Sequence, residues 1–133
     1  MSKVFAVTFI SLGSDYIFEL RSEKAKIQPG KISAIGGHVE SGEKPLDALR
    51  RELLEETTIK PVKINSMKFD LLGKLISDKS HIAHFYITEI ESKFDTLVKD
   101  TSLVYIPKDK LKSINDEFTY FTGRAIKEFS NKF

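Results

Sequence analysis

The residues with the clearest chemical potential are three glutamates near the middle of the chain. Glu52, Glu55 and Glu56 lie within residues 51–56. At about 100° per residue on a helix, their side chains share one arc of roughly 100°. Neighbouring carboxylates repel one another, so a helix that carries them gives up stability. Hard oxygen ligands of this kind suit Mg²⁺ or Mn²⁺, which keep several waters and commonly bind substrate phosphates.

The segment before these glutamates is rich in glycine. Gly36 and Gly37 would let the backbone approach the acidic cluster closely, and Gly42 would permit a tight turn into the helix. A plainer interpretation is a solvent-exposed helix with ion pairs four residues apart, such as Arg51 with Glu55. For an arbitrary glutamate-rich helix that interpretation is the commoner one. The spacing of residues over a longer stretch decides between the two.

The stretch from residue 37 to residue 59 resembles the Nudix box, Gly-x5-Glu-x7-Arg-Glu-U-x-Glu-Glu-x-Gly-U, in which U is a bulky aliphatic residue. Eight of its nine specified positions match in register: Gly37, Glu43, Arg51, Glu52, Leu53, Glu55, Glu56 and Ile59. Thr58 stands where the family has glycine. A β-branched residue resists the left-handed conformation that ends many helices. The chain must therefore either adopt a strained conformation at Thr58 or leave the helix by a different path.

This resemblance implies a set of metal ligands. Glu52 and Glu56 are expected to be the principal ligands of one or more Mg²⁺ ions, with Mn²⁺ as an alternative, and Glu55 is expected to assist them. The backbone carbonyl of Gly36 or Gly37 is expected to complete the set.

The resemblance also implies how the other site residues act. Arg51 is expected to orient the carboxylates with Glu43 as its partner, and Gly37 is expected to border the substrate. Arg21 lies in a basic loop of residues 21–31, where related enzymes often place an arginine that contacts phosphate. The catalytic set is then expected to comprise Glu52, Arg51 and Glu55.

The general base stays open, because it varies within the family. One candidate is Glu52 itself. The other candidates are acidic residues in or beside the loop over residues 89–100, of which Asp100 ranks first because it just precedes the last strand. These acids are Glu89, Glu91, Asp95 and Asp100.

Histidines and aromatic residues offer weaker signals. His81 and His84 are three residues apart on a predicted strand, so they point to opposite faces and cannot easily chelate one ion. One or two aromatic side chains are expected to stack on a nucleobase. The candidates are Phe5, Phe85 and Tyr86.

The elements that must position these residues are strands and helices in mixed order. Valine, phenylalanine, threonine and isoleucine dominate residues 1–13, which predicts a buried strand, and the following turn opens a hairpin. Pro45 suits the first position of the clearest helix. The predicted strands are 1–13, 16–20, 32–35, about 62–76, 81–90 and 103–106, and the predicted helices are 45–57 and 116–130.

This order of elements implies an α/β protein of the α+β type, with a mixed β-sheet and helices packed on its faces. The resemblance implies one Nudix domain over residues 1–133, folded as an α-β-α sandwich.

Composition narrows the classes of function. The 133 residues carry a net charge of +2 and no cysteine, which argues against a polybasic anchor for nucleic acid or membrane and excludes thiolate chemistry. No stretch approaches the roughly 18 apolar residues that span a bilayer. A cytoplasmic location is expected.

The resemblance implies hydrolysis of a nucleoside diphosphate linked to another moiety, by water attacking a phosphorus atom. The short chain favours a nucleoside triphosphate or a similarly small nucleotide as substrate. A polynucleotide is not indicated, although capped RNA stays open, as does a homodimer. The alternative is a catalytically silent Nudix-fold module that binds or senses a nucleotide. Because silent members tend to lose the glutamates, the enzyme is favoured.

Overall fold

The computed structural model describes residues 2–91, 102–114 and 116–132. Within these ranges the strands are β1 (Val4–Leu12), β2 (Asp15–Leu20), β3 (Ile32–Ser33), β4 (Ile35–His38), β5 (Asp70–Ile76), β6 (Ile82–Glu89) and β7 (Ser102–Pro107). The α-helices are α1 (Pro45–Glu56), α2 (Pro61–Ser66) and α3 (Tyr120–Glu128), and short 3₁₀ helices lie at Lys108–Ser113 and Ser130–Lys132.

These strands form one mixed sheet with β1 near its centre. β1 runs parallel to β6 along its whole length, and antiparallel to β2 and β4 on its other side. β5 lies at one end of the sheet beside β6, and β7 pairs with β2. The mixed sheet expected from the order of elements is confirmed.

Alternate side chains of the strands supply two cores, one on each face of the sheet. In β1, Phe9 belongs to the core under α3, whereas Ala6 and Ile10 belong to the core under α1 and α2. Burying one such large apolar side chain contributes about 1.5–3 kcal/mol. Both faces are thus covered by helices, as the sandwich architecture requires. The helices contribute Leu49, Leu53 and Ile64 to one core, and Ala125 and Ile126 to the other.

The strand expected at about 62–76 is wrong in its first part, where α2 forms instead. Pro61 occupies the first turn of α2, where its fixed φ favours a helix and its missing N–H costs nothing. Ile64 is the buried residue of this helix and packs beside α1. Arg50 donates hydrogen bonds to the carbonyls of Ile64 and Met67, which satisfies acceptors at the end of α2.

The closing helix starts later than expected, at Tyr120 rather than at residue 116. The preceding residues run beside β3: the Ile32 N–H donates to the Glu117 carbonyl, and the Thr119 N–H donates to the Ile32 carbonyl. These bonds hold the N-terminus of α3 next to β3. Among the helices described, none is long and apolar enough to cross a membrane.

Candidate functional site

Helix α1 and strand β4 together position the three glutamates. Pro45 occupies the first turn of α1, as expected, and Leu49 and Leu53 are fully buried against the sheet. These anchors fix the rotation of the helix. Glu52 is consequently drawn to the sheet side and is 9% exposed, whereas Glu55 stays largely in solvent.

Gly36 and Gly37 in β4 allow the sheet and the acidic helix to touch. A Cβ atom at Gly37 would lie 2.5 Å from Cδ of Glu52 and 2.7 Å from both of its carboxylate oxygens. A Cβ atom at Gly36 would lie 2.2 Å from the Ala6 carbonyl oxygen of β1, and Gly36 has a φ of +151°. The close approach expected of these glycines is therefore present, and the Glu52 carboxylate rests directly on the backbone of Gly37.

Arg51 joins the glycine-rich loop to the acidic helix. Its Nε and Nη2 donate to the two carboxylate oxygens of Glu43 at 2.8 and 3.0 Å. Its Nη1 reaches Glu52 at 3.1 Å and Glu55 at 3.3 Å, and Nη2 also bonds the His38 carbonyl at 2.9 Å. Bidentate pairs of this kind fix geometry as well as charge. Arg51 thus sits behind the carboxylates and holds them, which is the arrangement expected of an orienting residue.

The charge of this cluster changes the pKa values of its members. The hydrogen bonds from Arg51 lower the pKa of Glu43 to about 2, and the carboxylates raise the pKa of Arg51. Glu52 behaves differently, because its burial and the nearby charge of Glu56 raise its pKa. The bond from Arg51 therefore offsets only part of the effect that burial and Glu56 have on the pKa of Glu52.

The donor set is compatible with a divalent cation. Across the residues that the structure describes, no three acidic or histidine side chains converge closely enough to hold a metal ion as they stand. Mg²⁺ does not need such a cage, since it retains several waters and is usually held by one or two carboxylates together with substrate phosphates. Glu52 and Glu56 offer the hard carboxylate oxygens that such an ion requires.

A cavity of about 410 Å³ opens directly in front of the glutamates. It brings together six of the residues expected at the site: Arg21, Gly36, Gly37, Glu52, Glu55 and Glu56. Arg21 is held by a hydrogen bond from Nε to the Ile27 carbonyl at 3.0 Å. This bond leaves the two terminal nitrogens of its guanidinium group without a hydrogen bond in the described chain.

Aromatic side chains also line this cavity. Phe5 lies with its ring centroid 4.6 Å from that of His38 and 6.1 Å from that of Phe121. Phe85 also lines the cavity. Burial and the charge of Lys3 lower the pKa of His38, which favours its neutral form beside these rings. Phe5 and Phe85, two of the candidates for base stacking, thus border the cavity, but Phe85 is fully buried in the core under α3, whereas Phe5 is partly exposed.

Other candidates from the sequence lie elsewhere. Tyr86 packs in the core under α1 and does not line the cavity. His81 accepts a hydrogen bond on Nδ1 from the Lys3 backbone at 2.8 Å. Glu89 and Glu91 are exposed, and neither lines the cavity. Asp95 and Asp100 fall outside the described residues.

Several lining residues were missed by the sequence interpretation, and Gln28 is the most informative. It has a φ of +47°, which few residues other than glycine adopt. Its Oε1 accepts a hydrogen bond from the Tyr120 N–H at 2.7 Å, so it ties the basic loop to the start of α3. The partners are 92 positions apart in the chain. No local pattern signals such a contact, and the same holds for Thr119 and Phe121.

The end of α1 departs from the left-handed glycine ending of the family. Thr57 ends the helix in an extended conformation, with φ of −122° and ψ of 167°. Its Oγ1 donates to the Leu53 carbonyl at 2.7 Å and accepts from the Ile59 N–H at 3.2 Å. Thr58 is not among the non-glycine residues with positive φ. The chain therefore leaves the helix by a different path, as Thr58 in place of the family glycine implied. The Thr57 hydroxyl makes the hydrogen bonds at the end of the helix.

Solved structures share this architecture at low sequence identity. The MutT protein from Methanosarcina mazei Go1 superposes with a TM-score of 0.75 at 15% identity, covering 98% of this chain and 94% of that one. A MutT Nudix hydrolase from Burkholderia pseudomallei gives a TM-score of 0.72 at 18% identity, with coverage of 96% and 98%. The fold is thus that of the Nudix class.

A further neighbour is a bifunctional NMN adenylyltransferase/ADP-ribose pyrophosphatase from Francisella tularensis, solved with AMP and a Mn ion. Its TM-score is 0.75 at 17% identity, and the match covers 99% of this chain but 42% of that one.

Comparison at the level of sequence assigns the chain to a family as well as to a fold. A model of the NUDIX domain matches residues 5–118 of the chain. Among curated proteins, none matches it significantly. The chain belongs to the NUDIX domain family. It is a hydrolase of the type that acts on pyrophosphate bonds.

Proposed function

We propose that the chain is a metal-dependent pyrophosphohydrolase that cleaves a nucleoside diphosphate linked to another moiety. The favoured substrate is a nucleoside triphosphate or a similarly small nucleotide. The single observation that carries this proposal is one cavity whose lining includes both the carboxylates of α1 and aromatic rings. Its volume of about 410 Å³ falls within the range of small-molecule sites.

The carboxylates support a divalent cation as the partner of the substrate phosphates. We assign Glu52 and Glu56 as principal ligands and Glu55 as their assistant, with the Gly36 carbonyl completing the set. The Francisella neighbour was solved with a Mn ion, which agrees with this assignment, and Mg²⁺ is the ion that we expect in the cell. A divalent cation, when bound, would neutralise nonbridging phosphate oxygens and lower the pKa of a coordinated water.

The side chains of this protein then have separate tasks. Arg51 acts as a positioning residue, because its guanidinium group hydrogen-bonds Glu43 and Glu52 and does not line the cavity. Arg21 offers its free guanidinium nitrogens to a phosphate oxygen at the cavity wall, and Gly37 borders the substrate. Phe5 lines the same cavity and is partly exposed, so a nucleobase can stack on it.

Glu52 is our candidate for the base that accepts the proton of the attacking water, because it is the most buried of the three glutamates of α1 that line the cavity. Asp100 stays a prediction from the sequence, since it lies outside the described residues. A carboxylate can serve as base only within hydrogen-bond reach of that water. The Asp100→Asn variant tests Asp100: unchanged turnover rules it out as the base, and a large loss of turnover favours it over Glu52.

The experiment that tests the proposal is phosphate release from a panel of nucleotides, with Mg²⁺ and with chelator. Glu56→Gln keeps the shape of the side chain but removes its charge, so turnover should fall by orders of magnitude. Millimolar Mg²⁺ or Mn²⁺ should raise the melting temperature of the wild type by several degrees, because binding to the native state adds stability. The Glu56→Gln variant should lose that shift.

Glu128→Gln is the matched control, because Glu128 is exposed and does not line the cavity. It should retain both turnover and the thermal shift. Near-normal kcat of Glu56→Gln at limiting Mg²⁺ would refute the assignment of Glu56. Nucleotide binding by the wild type without any turnover would instead favour the silent module.

The remaining expectations belong to the same proposal. We place the protein in the cytoplasm and keep capped RNA within the substrate panel. A homodimer is tested by sedimentation of the purified chain.

A further inference from the structure

A second cavity lies beside α3, away from the three glutamates. Its volume is about 600 Å³. None of the glutamates or arginines of the candidate catalytic set lines it, and Thr119 is the described residue that borders both cavities. Nothing in the proposed hydrolysis uses this second cavity.

The walls of the second cavity carry a concentrated positive charge. One carboxylate, that of Asp116, faces four cations, so the cavity has a net charge of three, which exceeds the +2 of the whole chain. The four cations are Lys31, Lys112, Arg124 and Lys127. Between residues 2 and 132, and leaving aside the undescribed positions, no ion pair includes any of them.

The hydrogen bonds of these cations do not neutralise them. Lys31 donates to the main-chain carbonyl of Asp116, and Arg124 donates to the Ile76 carbonyl and the Tyr120 hydroxyl. Lys112 and Lys127 are exposed, and their ammonium groups make no hydrogen bond within the described ranges. Like charges held around one cavity repel one another and attract an anion.

The floor of the cavity is apolar and has been left open. Phe118 and Ile126 are buried beneath it. Gly123 lies in the middle of α3, where alanine would be favoured by roughly 0.5–1 kcal/mol. An added Cβ atom at Gly123 would come no closer than 3.7 Å to Cβ of Phe118. Packing therefore does not require this glycine, and its effect is to keep the floor clear.

We propose that the second cavity binds a nucleotide without a metal ion, with its phosphates on the lysines and its base on the apolar floor. Tyr120, with the Arg124 guanidinium 5.5 Å from its ring centroid, forms a flat polar wall suited to an aromatic ring. The volume fits a ligand of this size. The site is independent of the proposed hydrolysis, because it uses neither the glutamates nor a divalent ion.

The test is a titration of fluorescently labelled ADP in excess chelator, followed by anisotropy. The double variant Lys112→Gln/Lys127→Gln should weaken binding at least tenfold and reduce its dependence on salt. Lys63→Gln/Lys79→Gln is the matched control, since both lysines are exposed and lie outside the cavity. Equal binding by the two double variants, or no binding by the wild type, overturns the proposal.

Competition and floor variants test the chemistry of the ligand. Unlabelled ADP should displace the probe better than pyrophosphate or adenosine; equal displacement by pyrophosphate overturns the role of the floor. Gly123→Leu should fill the floor and abolish binding, whereas Gly123→Ala should retain it. Retained binding by a folded Gly123→Leu variant also overturns the proposal.

Hydrolysis assays keep the two proposals apart. The Lys112→Gln/Lys127→Gln variant should hydrolyse its substrate with the kcat of the wild type. A wild type that hydrolyses its substrate but does not bind ADP in chelator refutes the second site alone. Absence of hydrolysis in a wild type that binds ADP in chelator refutes the proposed activity alone.

Discussion

The contact between Gly37 and Glu52 allows a variant that damages the site without damaging the fold. In Gly37→Ala the new Cβ atom would lie 2.5 Å from Cδ of Glu52. To restore a separation of 3.0 Å, the carboxylate must move by about 0.5 Å or more. The carboxylate is the end of a flexible side chain, so it can turn aside while the backbone stays in place.

The neighbouring Gly36 provides the contrast. Its added Cβ atom would meet main-chain atoms of β1 at 2.2 and 2.7 Å, which cannot turn aside. Its φ of +151° adds backbone strain on the order of 1–3 kcal/mol, and overpacking adds about 1–3 kcal/mol. Gly37→Ala should change the free energy of unfolding by less than about 1 kcal/mol, because alanine also restricts the unfolded chain.

Relative to the stability that each variant loses, Gly37→Ala should lose more activity than Gly36→Ala. A misplacement of about 1 Å near the reacting groups can cost roughly 10²-fold in rate, so we expect kcat of Gly37→Ala to fall about 10- to 100-fold. Urea denaturation and phosphate release measure the two quantities. A Gly37→Ala variant with normal kcat, or one destabilised as much as Gly36→Ala, would show that Glu52 does not rest on Gly37 as described.

Two other predictions concern acid stability and the end of α1. The pKa of Glu43, lowered to about 2 from 4.5 by Arg51, means that its contribution is present above its ordinary pKa and is lost as the pH falls through about 2. The unfolding free energy of the wild type should therefore drop more steeply between pH 4.5 and 2 than that of Glu43→Gln; parallel curves would contradict the pairing. Thr58→Gly should destabilise the fold by about 0.5–1 kcal/mol, because Thr58 has no positive φ for glycine to relieve. Stabilisation in thermal melts would show that the conformation at Thr58 is strained.

Local signals explain which parts of the molecule could be predicted. The helix of the glutamates follows from Pro45 at its start and from the leucine spacing that fixes its buried side, so α1 lies within one residue of its expected bounds. The strand expected over 62–66 was wrong because Pro61 marked a helix start that the apolar pattern masked.

Long-range contacts explain what could not be predicted. Gln28 lines the first cavity and bonds the start of α3 across 92 positions. The second cavity depends on cations from the basic loop, from the 3₁₀ helix Lys108–Ser113 and from α3. The spacing of residues in the sequence does not show which distant residues come into contact. The family motif located the glutamates, but it is silent about everything that contacts the rest of a nucleotide.

The edge of the sheet gives Arg124 a second significance. β5 lies at one end of the strand order, with Leu71 and Ile76 exposed, which would make it a template for aggregation by strand addition. Lys132 donates to the Leu72 carbonyl at 2.8 Å, and Arg124 donates to the Ile76 carbonyl at 2.8 Å. These bonds occupy main-chain acceptors that an incoming strand would need. Loss of Arg124 would consequently lower the solubility of the concentrated protein, quite apart from any effect on ligand binding.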